Sequence, residues 1–284
     1  ALRKQASKAI EDGYSILILS DRGVDASHAP MPSLLATAGV HHHLIREGTR
    51  TRVGLVVESG EPREVAHFAL LLGYGAGAIN AYLAFETLAH LTEQDLFPRQ
   101  IDYAEAEAAF VRAIHKGVVK VISKMGISTL QGYRGAQIFE AVGLGRPFVD
   151  KNFAWTPSRI GGVGIAEIEQ ESRARHEAAY VDLHIASNGD LKAGGNYQWR
   201  KDAEYHMWNP DTIAKLQHAA RSNSATTYAE FAAAVDGANK ALCTIRGLLE
   251  FKKATGPVPL DEVEPAGEIV KRFATGAASL GSIS

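Results

Sequence analysis

The chain has 284 residues, of which 46% are hydrophobic and 22% are charged, and its formal net charge is −2. These values are typical of a globular protein with a full core, and no apolar run approaches the roughly 20 residues that a membrane span needs. The near-neutral charge, with scattered Lys and Arg, argues against nucleic acid as a partner. The single cysteine, Cys243, excludes an internal disulfide and an all-cysteine metal or iron–sulfur site.

The first third of the chain predicts repeated βαβ units. Residues 53–57 form a continuous apolar run, the pattern of a strand buried on both faces of a parallel sheet, and residues 15–19 predict a short buried strand. A helix capped by Ser33 is predicted between them. A second helix, with Pro62 in its first turn, follows the second strand, and glycines separate it from a third strand predicted over 78–83.

The predicted fold class is therefore α/β, with a mostly parallel sheet of βαβ units, doubly wound or barrel-related, and a helix-rich second half. In that half, helices are predicted over 165–184 and 228–234, and another begins at Asn209. Residues 156–164 hold three glycines and a proline and predict a turn, with a backbone anion nest as the alternative. The Pro-rich stretch 254–266 predicts a domain boundary.

Polar residues follow the first two predicted strands directly. Asp21 and Arg22 come after the first strand, and Glu58 and Ser59 come after the second. Ligands of open parallel sheets and barrels bind at the carboxyl ends of the strands, so these side chains are candidates to contact a substrate or a phosphate. The alternative is an Asp–Arg pair that only orders a turn.

Three adjacent histidines, His41, His42 and His43, invite interpretation as a metal site. Helical metal sites need ligands three or four residues apart, whereas successive helical side chains point about 100° apart. At most one of the three is therefore available to a given site, and no metal site is predicted.

Residues 124–144, KMGISTLQGYRGAQIFEAVGL, resemble the corresponding stretch of the large (alpha) subunit of glutamate synthase. Six further stretches resemble that family and span nearly the whole chain: EDGYSILILSDR (11–22), HHHLIREG (41–48), LVVESGEPREVAHFALLLGYGA (55–76), TPSRIGGVG (156–164), YHMWNP (205–210) and EVEPAGEIVKRF (262–273). Several long motifs in the right order are far more specific than one short pattern. The chain is therefore identified as a member of this family.

The resemblance implies a four-part large subunit, composed of an amidotransferase domain, a central α/β domain, an FMN-binding barrel and a β-helix. Residues 1–250 would be the central, connecting domain, and residues 251–284 would be a linker and the first strand of the FMN-binding barrel. The family's reaction converts glutamine, 2-oxoglutarate and reductant into two glutamates, and it uses internally channelled ammonia, FMN and a 3Fe-4S cluster.

The resemblance also implies partners and a location. The partners would be the amidotransferase and FMN domains of the same polypeptide, together with a small subunit or ferredoxin as electron donor. The location would be the cytoplasm, or the plastid in a photosynthetic eukaryote.

Two sets of site residues follow from the resemblance. Five residues are candidates for interdomain contact where the central domain meets the catalytic parts: Ser128, Thr129, Gln131, Tyr133 and Arg134. They lie on or just before a helix predicted over 130–142, and the alternative is a capped helix with a solvated polar face. Four residues of the barrel strand would lie near the flavin in the full-length protein: Ala277, Ala278, Ser279 and Leu280.

We expect no catalytic or metal-binding residue in this segment. Both ends of the sequence predict a piece of a longer polypeptide, and a lone Cys243 cannot supply the three cysteines of the implied cluster. The isolated segment is therefore expected to bind no cofactor and to catalyse no reaction, and to connect two active sites while lining an ammonia path. The alternatives are a self-contained α/β protein that binds a small molecule at the strand ends, and a scaffold module.

Overall fold

The computed structural model describes residues 1–180, 194–253 and 255–273. The chain divides after residue 181 into two compact units, and each is described by itself. The end of the helix predicted over 165–184 and the barrel strand that contains residues 277–280 lie outside the described residues.

The first unit alternates strands and helices. Its elements are α1 (Leu2–Glu11), β1 (Ile16–Ser20), α2 (Ser33–Arg46), β2 (Gly54–Glu58), α3 (Val65–Gly73), β3 (Ala78–Asn80), α4 (Tyr82–Glu93), α5 (Tyr103–Lys124), α6 (Leu130–Tyr133), β4 (Ala141–Leu144), α7 (Arg146–Asn152), β5 (Ser158–Val163) and α8 (Ile165–Ala179). Strands β1, β2 and β3 form one parallel sheet in that order, and β4 and β5 form a second parallel pair. The predicted α/β fold class is confirmed.

Helices α1 and α2 cover one face of the three-stranded sheet. Leu17 of β1 and Leu55 of β2 project into a buried cluster completed by three helical side chains: Ile10, Val40 and Leu44. Each large aliphatic side chain buried in this way contributes about 1.5–3 kcal/mol to folding. This face is the main core beneath the sheet.

The opposite face of the sheet is largely uncovered. Ile16 and Ile18 of β1 are 61% and 63% exposed, and Val56, which is paired in register with Ile18, is only half-buried. The prediction of a buried strand over 15–19 is therefore wrong for this face of β1, and the burial on both faces that is predicted for 53–57 is only partial at Val56. A continuous apolar run does not reveal whether the cover for its second face comes from the same stretch of chain.

Helix α2 is capped from a distance. Its N-cap residue is Pro32, which has no side-chain acceptor, and the Ser33 backbone N and Oγ both donate to Oε2 of Glu61, at 2.8 and 2.6 Å. Glu61 is thus held beside α2, and α3 begins only at Val65. The predicted Ser33 cap and the predicted start of α3 at Pro62 are both wrong for this reason.

The helix predicted over 130–142 is also wrong. Helix α6 ends at Tyr133, and Gly135 and Gln137 adopt positive φ values of 73° and 56°. The chain then forms β4, where the Ala141 backbone N donates to the Pro157 carbonyl at 2.8 Å. Tertiary pairing therefore overrides the apolar helical spacing of this stretch.

Residues 158–163 form strand β5 rather than the predicted turn. One of the two glycines of this strand serves a close backbone approach, because a Cβ added to Gly162 would lie 2.4 Å from the Gly143 carbonyl oxygen of β4. Glycine in a strand frequently marks such an approach, and no backbone anion nest is needed to explain it.

The regular elements of the second unit, over its described residues, are helices. Helix α9 (Pro210–Ser222) begins as predicted, with the Asn209 side chain accepting from the backbone N of Asp211 and Thr212. Helix α10 (Ala225–Ala238) contains the helix predicted over 228–234, and α11 (Ala266–Lys271) follows the Pro-rich stretch. Short π- and 3-10 turns occupy Asn239–Cys243, Ile245–Leu248 and Leu260–Glu262.

Candidate functional site

The polar groups predicted at the strand ends do meet at one edge of the sheet. Ser20, Glu58 and Asn80 end the three strands side by side in register. The Glu58 carboxylate accepts hydrogen bonds from Ser20 Oγ at 2.6 Å and from Asn80 Nδ2 at 3.3 Å. It also accepts from Arg22 Nε at 2.9 Å. The Ser20 hydroxyl and then Arg22 lower the pKa of Glu58, so this carboxylate is stabilised in its charged form.

Asp21 joins the ends of all three strands. Its carboxylate accepts from Ser59 Oγ at 2.6 Å, from the Gly60 backbone N at 3.2 Å and from the Tyr82 hydroxyl at 2.8 Å. Burial, followed by the hydrogen bond to Asp21, raises the pKa of Tyr82 to about 12. The hydroxyl therefore stays protonated and donates to Asp21 throughout the physiological range.

Arg22 is fully engaged within the same network. Besides its bond to Glu58, its Nη1 lies 3.4 Å from Glu86 Oε1, and its guanidinium stacks 4.1 Å from the centroid of the Tyr82 ring. The bond to Glu58 is the main reason that the pKa of Arg22 is raised. The positive charge of Arg22 is therefore compensated by Glu58 and Glu86 within this network.

The three histidines of α2 make different contacts. His41 accepts from Arg50 Nε at 2.8 Å on Nδ1, and His43 Nε2 lies 2.8 Å from Ser7 Oγ. The rings of His41 and His42 meet edge to face with their centroids 5.1 Å apart, and both residues line a cavity described below. The described residues contain no group of three or more His, Cys, Asp or Glu side chains arranged to hold a metal ion.

The five interdomain candidates lie around α6, in two different environments. Thr129 Oγ1 caps α6 by accepting from the Gly132 backbone N at 3.1 Å. Tyr133 is completely buried, and its hydroxyl donates to the Ala69 carbonyl at 3.0 Å, which fixes α6 to α3. Ser128, Thr129 and Gln131 are exposed, whereas Arg134 is half-buried with an unpartnered Nε.

A large apolar groove begins at this point. It has a volume of about 910 Å³, and Ser128, Thr129 and Leu130 form one end of its wall. The remaining wall comes mainly from α3, α4 and α5 and includes Phe68, Phe85, Phe110, Ile114, Val118 and Ile122. The structure therefore places two of the predicted interdomain residues beside an open apolar surface.

A second, smaller cavity was not predicted from the sequence. It has a volume of about 380 Å³, and its wall includes His42, Tyr74 and Trp155. No motif of known spacing marks it, because its residues come from five separate parts of the chain. The sequence does show aromatic and basic residues in these helices and loops, but such residues are too common to identify a site.

No helix among the described residues is both long and apolar enough to cross a membrane. The four candidate flavin-contact residues, Ala277 to Leu280, lie outside the described residues.

Comparison with known proteins identifies the family. Residues 1–145 match the glutamate synthase central domain, and residues 206–284 match the conserved region in glutamate synthase. The chain is 48% identical over 280 residues to the glutamate synthase [NADPH] large chain of Bacillus subtilis, an alignment that covers 99% of this chain and 18% of that protein. It is 42% identical to glutamate synthase [NADH] of Schizosaccharomyces pombe, covering 99% and 13% of the two chains. It is 37% identical to ferredoxin-dependent glutamate synthase of Pyropia yezoensis, covering 100% and 19%.

The chain thus spans less than a fifth of the length of these relatives. The family match covers more than half of its residues, and the similarity extends along essentially the whole chain. The chain belongs to the glutamate synthase family.

Proposed function

We propose that this chain is the connecting segment of a glutamate synthase large subunit and makes or breaks no bond itself. The complete enzyme would convert glutamine, 2-oxoglutarate and reductant into two glutamates. The segment would hold the amidotransferase and FMN domains at a fixed separation and line the path of ammonia between them. The proposal is supported by the lengths of the relatives, since more than four-fifths of each relative lies outside the region aligned with this chain.

The observation that carries the proposal is the uncovered face of the three-stranded sheet. All-parallel sheets occur almost only with both faces covered, because each strand is apolar on both sides. Here Ile16 and Ile18 of the edge strand β1 are 61% and 63% exposed, although both side chains are apolar. We propose that another domain of the same polypeptide covers this face.

The groove beside α6 is the second proposed contact. Ser128 and Thr129 would supply polar contacts at its rim, and the apolar wall of α5 would supply the buried area. Gln131 and Arg134 would add polar contacts from α6 and the residue that follows it, outside the groove. Tyr133 would act indirectly, by holding α6 in position through its bond to Ala69. Two separate contact surfaces are what a segment needs in order to join two neighbours.

We propose the domain assignment that the resemblance implies. Residues 1–250 would form the central, connecting domain, and residues 251–284 would form the linker and the first strand of the FMN-binding barrel. Ala277 to Leu280 would approach the flavin in the complete protein. The proline-rich linker supports this boundary, since prolines stiffen an extended connection between domains.

The cofactors of the complete enzyme would be held elsewhere. A 3Fe-4S cluster needs three thiolates, and Cys243 is the single cysteine of this chain, so the residues present do not fit that cluster. A single strand likewise cannot enclose FMN without the rest of its barrel. The electron donor would be a small subunit or ferredoxin, in the cytoplasm or in a plastid.

An ammonia path would use the physical properties of a packed wall. Ammonia that meets bulk water near neutral pH becomes ammonium, which neither attacks a carbonyl carbon nor crosses an apolar passage. A segment that excludes water between two active sites would therefore keep the nucleophile unprotonated. This role requires a rigid shape and no catalytic side chain.

The proposal is tested by assaying two preparations. The isolated 284-residue chain should release no ammonia from glutamine and form no glutamate, and either activity would contradict a purely connecting role. In the complete polypeptide, Ile18→Glu should lower glutamate formation relative to glutamine hydrolysis, because a buried charge would disturb the proposed contact. Leu96→Glu, at an exposed loop position, is the matched control and should leave that ratio unchanged.

A further inference from the structure

The smaller cavity of the first unit combines aromatic walls with positive charge. It has a volume of about 380 Å³, at the lower end of the roughly 300–1,000 Å³ that small-molecule sites occupy. Its aromatic wall is formed by Tyr74, Phe139 and Trp155. Trp155 is 80% exposed at the rim and adopts a φ of +67°, a conformation that tryptophan rarely takes.

One polar group in the wall lacks a partner. Nε2 of His42 is buried without a hydrogen bond, although a buried polar atom without a partner costs about 1–3 kcal/mol. The Tyr74 hydroxyl in the same wall does have a partner, since it lies 2.6 Å from Thr156 Oγ1. A ligand in the cavity is the simplest source of the missing partner for His42.

Three arginines near the cavity bond only to neutral acceptors. Arg3 donates to Asn152 Oδ1 at 2.6 Å, and Arg46, which lines the cavity, donates to the carbonyls of Asp150 and Lys151 at 3.0 and 3.1 Å. Arg50 donates to His41 Nδ1 and to the carbonyls of Val53 and Gly75. Among the described residues, none of the three forms an ion pair.

The other titratable groups discussed for this cavity, Asp150, His41 and His42, do not compensate the positive charge of these arginines. The acidic side chain in the wall, Asp150, is paired with Arg146 at 3.0 Å. Burial, followed by the charges of nearby arginines, lowers the pKa of both His41 and His42 to about 4, so both are neutral at pH 7. Arg3 and Arg46 both reach the Lys151 carbonyl, at 3.5 and 3.1 Å, so their positive charges lie close together, and burial and then Arg46 lower the pKa of Arg3.

We propose that this cavity binds a small planar carboxylate. Arg46 would bind the carboxylate oxygens in a charge-assisted hydrogen bond, and Nε2 of His42 would bind a polar atom of the ligand. The planar body would lie against Tyr74, Phe139 and Trp155. The carboxylate could come from a free molecule or from an acidic side chain of a neighbouring part of the polypeptide.

The test is calorimetric titration of the 284-residue protein with benzoate, with benzamide as the neutral isostere. Benzoate should bind saturably, and benzamide should bind at least about tenfold more weakly, which corresponds to about 1.4 kcal/mol. Arg46→Met should weaken benzoate binding by a similar factor. The matched control Arg173→Met, on the exposed face of α8, should bind benzoate like the original protein.

Two further arms complete the test. Trp155→Phe keeps an aromatic ring and the same backbone requirement, so it should fold and weaken benzoate binding even if Arg46→Met fails to fold. A blocked glutamate, acetylated and amidated, mimics a side-chain carboxylate, and tighter binding of it than of benzoate would assign the ligand to a neighbouring polypeptide segment. Equal binding of benzoate and benzamide, binding of inorganic phosphate alone, or no saturable binding of either carboxylate would overturn the proposal.

Discussion

Arg50 donates a hydrogen bond from Nε to Nδ1 of His41 over 2.8 Å, so a buried neutral imidazole serves as the acceptor for a cation. Because Nδ1 accepts, the proton of neutral His41 must reside on Nε2. Arg50 also bonds the carbonyls of Val53 and Gly75, and so it links α2, the start of β2 and the turn after α3. Protonation of His41 would replace this acceptor with a second positive charge.

The first prediction concerns acid stability. The pKa of His41 is lowered from 6.5 to about 4 in the folded state, so the unfolded state takes up the proton first as the pH falls. The contribution of neutral His41 to the free energy of unfolding is fully present above pH 6.5. It should decline by about 3 kcal/mol as the pH falls from 6.5 to 4. Urea unfolding midpoints measured across this range test the decline.

The control for that measurement is a pair of substitutions. His41→Gln offers Arg50 an uncharged acceptor that does not titrate, so its midpoint should fall less steeply with decreasing pH. His218→Gln, at an exposed position of α9 in the other unit, should keep the original slope. Parallel slopes for the protein and His41→Gln would mean that His41 is not the responsible group.

The second prediction concerns Gly75. Its φ is +112°, and an added Cβ would lie 2.2 Å from Nδ1 of His41. Gly75→Ala should therefore destabilise the protein by at least about 2 kcal/mol, through both backbone strain and displacement of the imidazole. Gly13→Ala is the matched control, because Gly13 has a φ of +91° and no atom within 4 Å of an added Cβ. A cost for Gly75→Ala no larger than that of the control would show that the contact with His41 is not tight.

The third prediction concerns Gly117 in the middle of α5. Replacing an interior helical glycine with alanine ordinarily stabilises a helix by about 1 kcal/mol. Here an added Cβ would lie 2.3 Å from Cγ2 of Val65 in α3, so Gly117→Ala should destabilise the protein, and a second substitution, Val65→Ala, should relieve the loss. Gly237→Ala in α10, with open space around the added Cβ, should show the ordinary stabilisation in chemical unfolding.

The fourth prediction concerns the strand-end network. Tyr82→Phe removes the hydroxyl that donates to Asp21, and it should cost about 1–2 kcal/mol because Asp21 keeps its other donors. In a double-mutant cycle with Asp21→Asn, the two changes should be non-additive. Additive losses would mean that the two side chains act independently.

Much of the fold follows from local patterns. The apolar runs of β1 and β2 and the Asn209-Pro210 start of α9 are determined within a few residues, and the sequence predicts each of them. The errors occur where a distant residue decides the outcome. Glu61 caps α2 from 28 positions away, and the Gly143 carbonyl explains Gly162 of β5.

The same contrast between local and distant determinants applies to the candidate site. Asp21, Arg22, Glu58 and Ser59 were predicted together because the ends of parallel strands meet at one edge. Their mutual compensation could not be predicted, since Tyr82 and Glu86 enter the network from α4 and carry no local signal. The smaller cavity could not be predicted for a related reason. Its arginines lack acidic partners, and this is visible only in three dimensions.

The uncovered face of the sheet provides the most direct test of the connecting role. Hydroxyl-radical footprinting should be applied to the isolated 284-residue chain and to the complete polypeptide, and oxidation of Ile16 and Ile18 should be compared by mass spectrometry. The account predicts strong oxidation of both residues in the isolated chain and marked protection in the complete polypeptide, with Leu96 oxidised equally in both. Equal oxidation of Ile16 and Ile18 in the two preparations would contradict it.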